Sequence, residues 1–110
     1  MIDEKNTLFI EDFIMDINKQ LRYTSHILLR LLQRGITTDD VETALINGEV
    51  IETYPDDYPH PSYLVFGHTK EDRVLHIVCG VSSTELWLIT AYYPNNIKWL
   101  DDFKTRRKDI

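Results

Sequence analysis

The apolar residues of this chain change period at Gly48, and that change restricts it to folds that place helices first and strands after. Before Gly48 they recur every three to four positions, the spacing of one helix face; after it they recur every second position, the spacing of one strand face. Leu8, Phe9, Phe13, Ile14 and Ile17 predict a first helix over about residues 7–20. A second runs from a cap at Thr24 or Ser25 to Gly35, with Ile27, Leu28, Leu31 and Leu32 on one side. A third starts at Thr37, where Asp40 three residues on completes a capping-box pattern, and passes through Val41, Ala44 and Leu45 to Gly48.

The second half reads as strands over Glu49–Tyr54, Ser62–His68, Val74–Val81 and Glu85–Tyr93. Pro55, Pro59 and Pro61 mark a loop after the first of them, and the gaps near Lys70–Asp72 and Ser82–Thr84 are short enough for hairpins. The last two strands are apolar on both faces and belong inside the sheet. Pro94 stops the final strand; Trp99 and Phe103 then predict a short helix or extended tail that docks on the core. The expected architecture is α+β. N-terminal helices (1–48) lie on one face of a four-stranded antiparallel meander (49–93), and residues 94–110 form a tail. A chain of 110 residues has room for one such domain.

Cys79 is the only cysteine, so the chain can form no internal disulfide, and a lone thiol in an apolar run suits a reducing compartment. The first residues carry no basic-then-apolar leader pattern, and no apolar run approaches the roughly 20 residues that span a bilayer. The expected location is the cytoplasm. A formal net charge of −6 opposes nonspecific nucleic-acid binding, but the charge is unevenly placed. Residues 17–36 hold Lys19, Arg22, Arg30 and Arg34 with no acid, whereas residues 37–59 hold seven acids and no base. A second basic cluster lies at Lys104, Arg106, Arg107 and Lys108. An acidic body with a local basic cleft fits this pattern.

The second helix places His26, Arg30, Gln33 and Arg34 on the arc opposite its apolar residues. Guanidinium forks match phosphate oxygens, so the stripe reads as a phosphate-binding or catalytic face, or else as an ordinary solvated one. His76, among Val74, Leu75, Ile77 and Val78, is either a general acid or base facing a cleft or a core histidine tied to a neighbour. Thr90 and Tyr92 share a strand face, which bears His76 if the last two strands pair as a hairpin. Such a set suits RNA phosphodiester cleavage without a metal. His26 or His76 would move protons, Arg30 or Arg34 would stabilise charge on phosphorus, and Tyr92 would orient the substrate or stack on a base. Arg34, Thr90 and Arg106 are the candidate substrate contacts. His60 and His68 lack partners at metal-ligand spacing, and no phosphate-cradling glycine loop appears, so neither metal nor cofactor is expected.

In order, the chain carries Ser25-His26, Arg30, Arg34-Gly35-Ile36, Val41-Glu42, Ala44-Leu45, Gly48-Glu49-Val50-Ile51 and Tyr54-Pro55. Leu75-His76-Ile77-Val78, Ile89-Thr90-Ala91-Tyr92, Pro94, Trp99, Phe103-Lys104 and Arg106 follow. This ordered set resembles a bacterial domain-of-unknown-function family grouped with the RelE/ParE-like toxins, whose members often sit beside zinc-finger antitoxins of the YgiT/MqsA kind. The resemblance spans residues 25–106. It implies a two-layer RelE- or barnase-like sheet with helices on one side, mRNA cleavage on or off the ribosome, and an antitoxin partner. It puts His26, Arg30, Arg34, His76, Thr90 and Tyr92 at family-like positions. Two rival readings stand beside the ribonuclease toxin. One is a non-catalytic toxin-like module that binds an antitoxin or RNA, suggested by the acidic run in 37–59. The other is a structural domain whose charged stripe does nothing specific.

Overall fold

The computed structural model describes residues 21–108, so the helix expected over residues 7–20 lies outside the described residues. The elements are β1 (Leu21–Arg22), α1 (Ser25–Gln33), α2 (Thr38–Ile46), β2 (Glu49–Tyr54), β3 (Ser62–His68), β4 (Val74–Val81) and β5 (Leu86–Tyr92). Strands β2 to β5 form the expected antiparallel meander, with β4 at its centre. The sheet is nevertheless mixed and five-stranded, because β1 adds to the outer edge of β5 in parallel. The four-stranded antiparallel expectation is corrected there. A two-residue strand has no periodicity to read, and its partner lies more than sixty positions away.

Local chemistry explains both helices. Thr24 caps α1 by accepting from the Ile27 amide at 3.1 Å. At the other end Gly35 takes φ 69°, and the Gly35 and Ile36 amides donate back to the Leu32 and Leu31 carbonyls. That pair of bonds closes orphan carbonyls in a Schellman arrangement and buries Ile36. In α2, Thr37 and Asp40 cap one another reciprocally, at 3.0 and 2.9 Å. Asn47 follows α2 and exchanges side-chain hydrogen bonds with the His68 backbone, which clips the helix end to β3.

Ile27, Leu31, Val41, Ala44 and Leu45 pack against Val50, Val65, Leu75, Ile77, Cys79 and Leu88 to make the core between the layers. Leu28 and Leu32, expected to face inward, are 44% and 76% exposed. The short helix rests on the sheet through Ile27 and Leu31 alone, and residues one step further round fall outside the contact. The approach of α2 is close because Gly67 carries no side chain: a Cβ there would sit 2.0 Å from the Ala44 carbonyl oxygen.

Two bulges set which residues face away from the helices. Ile51 in β2 and Ile89 in β5 are the extra residues at these register shifts. Beyond them, three rows cross the outer face. One joins Glu49, Phe66, His76 and Tyr92; the next Glu52, Leu64, Val78 and Thr90; the third Tyr54, Ser62, Gly80 and Trp87. The chain after β5 forms a small irregular hairpin over the first row, with Trp99 bridged to Arg106. Of the two forms expected for the tail, the extended one is observed over the described residues. Among the described residues no helix is long and apolar enough to cross a membrane.

Candidate functional site

Trp99 is 2% exposed and sits edge-on to His76, with ring centroids 4.6 Å apart. This contact, with the tail turn that Asp102 organises, roofs the first row of the outer face. Asp102 accepts from the Lys104 and Thr105 amides and from the Thr105 hydroxyl. Those bonds hold its carboxyl below the usual range. The roof is pinned by ion pairs to β2. Arg106 grips Glu52 through Nε and Nη2, at 2.8 and 3.1 Å, while lying over the Trp99 ring. Lys104 pairs with Glu49 and lies over Phe66. Burial alone would raise the Glu52 carboxyl, but hydrogen bonds from Arg106 and Tyr54 outweigh it and hold the group low. Tyr54 is pushed up to about 12, first by burial and then by donating to Glu52.

His76 is fully buried beneath this roof. Its Nε2 lies 2.6 Å from the Phe103 carbonyl oxygen, and its Nδ1 lies 3.3 Å from the Tyr92 hydroxyl. A carbonyl only accepts, which assigns the proton to Nε2 and leaves Nδ1 as the acceptor for Tyr92. Burial holds the imidazole below its ordinary range, and Arg106 pushes the same way; the Phe103 carbonyl and the Glu52 charge oppose it without prevailing. Of the two readings open for this histidine, the core histidine tied to neighbours is the observed one.

Beside the roof lies a pocket of about 390 Å³, lined by Arg34, Tyr92, Lys98, Trp99 and Arg106 with the turn at residues 93–95. Three cations and the phenols of Tyr92 and Tyr93 therefore converge, with no carboxylate in the lining among the described residues. Arg34 reaches it from the end of α1, donating through Nη1 to the Thr90 hydroxyl and the Ala91 carbonyl, both at 2.9 Å. Since β1 spans only two residues, no other described strand pairs with the rest of the β5 edge, and Arg34 covers part of it. Burial raises the Tyr92 phenol; Arg106 lowers it and Glu52 raises it further.

The expected set divides between the two faces of the sheet. Tyr92, Thr90 and His76 do share a face, with Tyr92 directly opposite His76 in the register. His26 and Arg30 do not join them. Both are exposed on α1, which packs on the face formed by Leu75 and Ile77, whereas His76 points to the other. The expected meeting of the helix stripe with His76 in one solvent-open hollow is thus corrected, and Arg34 alone bridges the gap. Thr90 holds Arg34 rather than facing the pocket, and Arg106 is shared between the pocket and Glu52. Lys98, Glu52 and Trp99 belong to the site and were not singled out from the sequence as carrying chemistry. The bulge at Ile51 is what turns Glu52 onto the outer face, and single-strand alternation carries no sign of it. Among the described residues no three His, Cys, Asp or Glu side chains are grouped to hold a metal ion.

The family model described as "Domain of unknown function (DUF4258)" matches residues 23–93. No curated protein and no solved structure matches. The matched stretch runs from the start of α1 through β5 and includes Arg34, His76, Thr90 and Tyr92; Lys98, Trp99 and Arg106 lie beyond it.

Proposed function

The chain belongs to the DUF4258 family, and from that premise we propose that it is the toxin of a toxin–antitoxin pair, an endoribonuclease that cuts mRNA in the cytoplasm without a metal. The observation that carries this reading is the cationic pocket. Arg34, Lys98 and Arg106 line one pocket with Tyr92 on a chain whose overall charge is −6. An acidic protein that concentrates guanidinium and ammonium groups in one recess is suited to a phosphate, whose oxygens match Arg forks.

The chemistry follows from the hydrogen bonds. The 2′-oxygen of RNA attacks phosphorus, and its proton moves to the Tyr92 oxygen as the Tyr92 proton moves to His76 Nδ1. The bond from phosphorus to the 5′-oxygen breaks, and Lys98 supplies the proton that oxygen needs. Arg34 and Arg106 stabilise the charge that builds on the non-bridging oxygens. The imidazolium so formed keeps its bond to Phe103 and lies in the field of Glu52. The products are a 2′,3′-cyclic phosphate and a 5′-hydroxyl. In this version Tyr92 touches substrate and His76 acts behind it; His26 and Arg30 have no part. The likeness to RelE/ParE-like toxins adds a zinc-finger antitoxin as the expected partner.

The test is direct. Purified protein is incubated with RNA, with and without translating ribosomes, and the new ends are mapped. Cyclic-phosphate ends are expected, with a loss of about 100-fold or more in Tyr92→Phe. RNA that stays intact in both settings, with folded protein, rejects the nuclease.

A second reading has its own support. His76 is fully buried with both ring nitrogens occupied, and Leu28, Leu29 and Leu32 are exposed along α1. Those features suit a non-catalytic module that binds an antitoxin through its helix. Capture of the neighbouring gene product that is lost in Leu29→Asp and Leu32→Asp, with no RNA cleavage, would select it.

A further inference from the structure

Gly80, next to last in β4, occupies a position that the fold does not require to be glycine. A Cβ built there meets only the Ile89 side chain, Cδ1 at 3.4 Å and Cγ1 at 3.9 Å, both ordinary contacts, and the φ angle is not in the left-handed region. The contrast with Gly48 and Gly67, whose added Cβ atoms would strike the Ala44 carbonyl oxygen at 2.6 and 2.0 Å, is sharp. Glycine inside a strand weakens it, and where packing gives no reason it marks a close approach by something else. Gly80 lies in the floor of a recess of about 670 Å³, walled by Trp87, Ile89, Tyr58, His60 and Asp57.

The walls are unusual for a surface that faces only water. Tyr58 is 96% exposed and Ile89 48%, and Trp87 is half-buried across the register from Gly80. Ile89 is also the bulge residue, and bulges beside functional sites commonly serve to aim a side chain. An indole and a phenol beside a flat strand floor present stacking faces. Asp57 and His60 add a hydrogen-bond acceptor and an imidazole edge at the rim. The carboxylate of Asp57 makes the recess unfit for a phosphate, but it can accept from the N–H groups of a base.

Its position selects the occupant. Gly80 and Trp87 lie on the same outer face as His76 and Tyr92, four residues further along β4, which is about 13 Å at strand rise. A cationic pocket and an aromatic recess on one sheet face, separated by the length of a few nucleotides, are the two parts that single-stranded nucleic acid binding needs. We infer that the Trp87–Gly80 recess is a nucleobase-binding site. It takes one unpaired base of a single-stranded RNA whose backbone phosphate occupies the Arg34–Lys98–Arg106 pocket. This rests on the RNA reading of that pocket, not on its being catalytic.

The full chain is titrated with a fluorescently labelled 2′-O-methyl oligoribonucleotide, which has no free 2′-hydroxyl and so cannot be cut. Trp87→Ala and Gly80→Val should each weaken binding about 5- to 150-fold, the range for loss of one stacked base. Gly80→Ala, which adds a single carbon the structure accommodates, should weaken it less while keeping the wild-type melting temperature. An abasic residue placed at the stacked position should cost the wild type as much as Trp87→Ala and cost that variant nothing more. Equal affinity for wild type and all three folded variants overturns the base site and leaves the phosphate pocket standing. Weaker binding in the variants with no cleavage of ordinary RNA keeps the base site and rejects the nuclease. If the wild type binds no oligonucleotide but takes up a proline-containing peptide, both RNA assignments fall.

Discussion

Acidification below pH 6.5 should loosen this protein through one buried group, His76. In the native chain its neutral ring donates from Nε2 to Phe103 and accepts at Nδ1 from Tyr92. A second proton on Nδ1 removes that acceptor and buries a charge, and burial already holds the folded pKa below the ordinary 6.5. Because the folded pKa is the lower one, the unfolded chain binds more protons between the two values. Stability is therefore complete above pH 6.5 and is lost as pH falls from there through the folded pKa. One proton is worth about 1.4 kcal/mol per pH unit, so between pH 7.5 and 5.5 the loss is at most about 1.4 kcal/mol. For a domain of this size that lowers Tm by up to about 6 °C. Urea unfolding of wild type and His76→Gln, followed at several pH values, isolates the effect, since the other titrating groups cancel in the difference. Glutamine can still donate to Phe103 and does not titrate. The stability gap between wild type and variant should narrow as pH falls. A gap that stays flat, or widens, across that window refutes the argument that His76 is held neutral beneath the tail.

Three other outcomes follow from the geometry. Gly67→Ala forces its Cβ onto a helix carbonyl that cannot swing aside, so α2 must withdraw; about 3 kcal/mol of stability should be lost, read from the urea midpoint, and an unchanged midpoint contradicts the close approach. Glu52→Gln frees Arg106 from its partner. It should cost about 1 kcal/mol in the same assay, given the partial exposure of the pair, while tightening the binding of inorganic phosphate; weaker phosphate binding would remove Arg106 from the pocket's working cations. Cys79, fully buried with its thiol pushed up to about 12, should react with thiol reagents only when the chain unfolds, and fast labelling in native buffer would contradict its place in the core.

Much of the fold was legible because its signals are local. The reciprocal cap between Thr37 and Asp40, the stop at Gly35 and the four meander strands depend on residues within a few positions of one another. The site was less legible. Tyr92 and Arg34 could be picked out by residue type, and Tyr92 opposite His76 follows once a hairpin is assumed. Lys98 could not, and Trp99 was legible only as a docking residue of the tail, because the tail carries no period that tells where it docks. The placement of His26 and Arg30 with His76 failed for a different reason: a helix wheel ranks residues around one axis but does not say which side of a sheet the helix will cover.

From the order of its residues alone, the chain specifies where helices end, where strands begin, and that the two halves bury complementary apolar faces. Tertiary structure decided the rest. The parallel edge strand at Leu21–Arg22, the bulges that turn Glu52 outward and thrust Ile89 into the open, and the hairpin that seals His76 all depend on contacts between remote positions. A one-residue bulge moves every later side chain to the opposite face at little local cost, so pairing with the neighbouring strand, not the pattern within one strand, settles which groups meet.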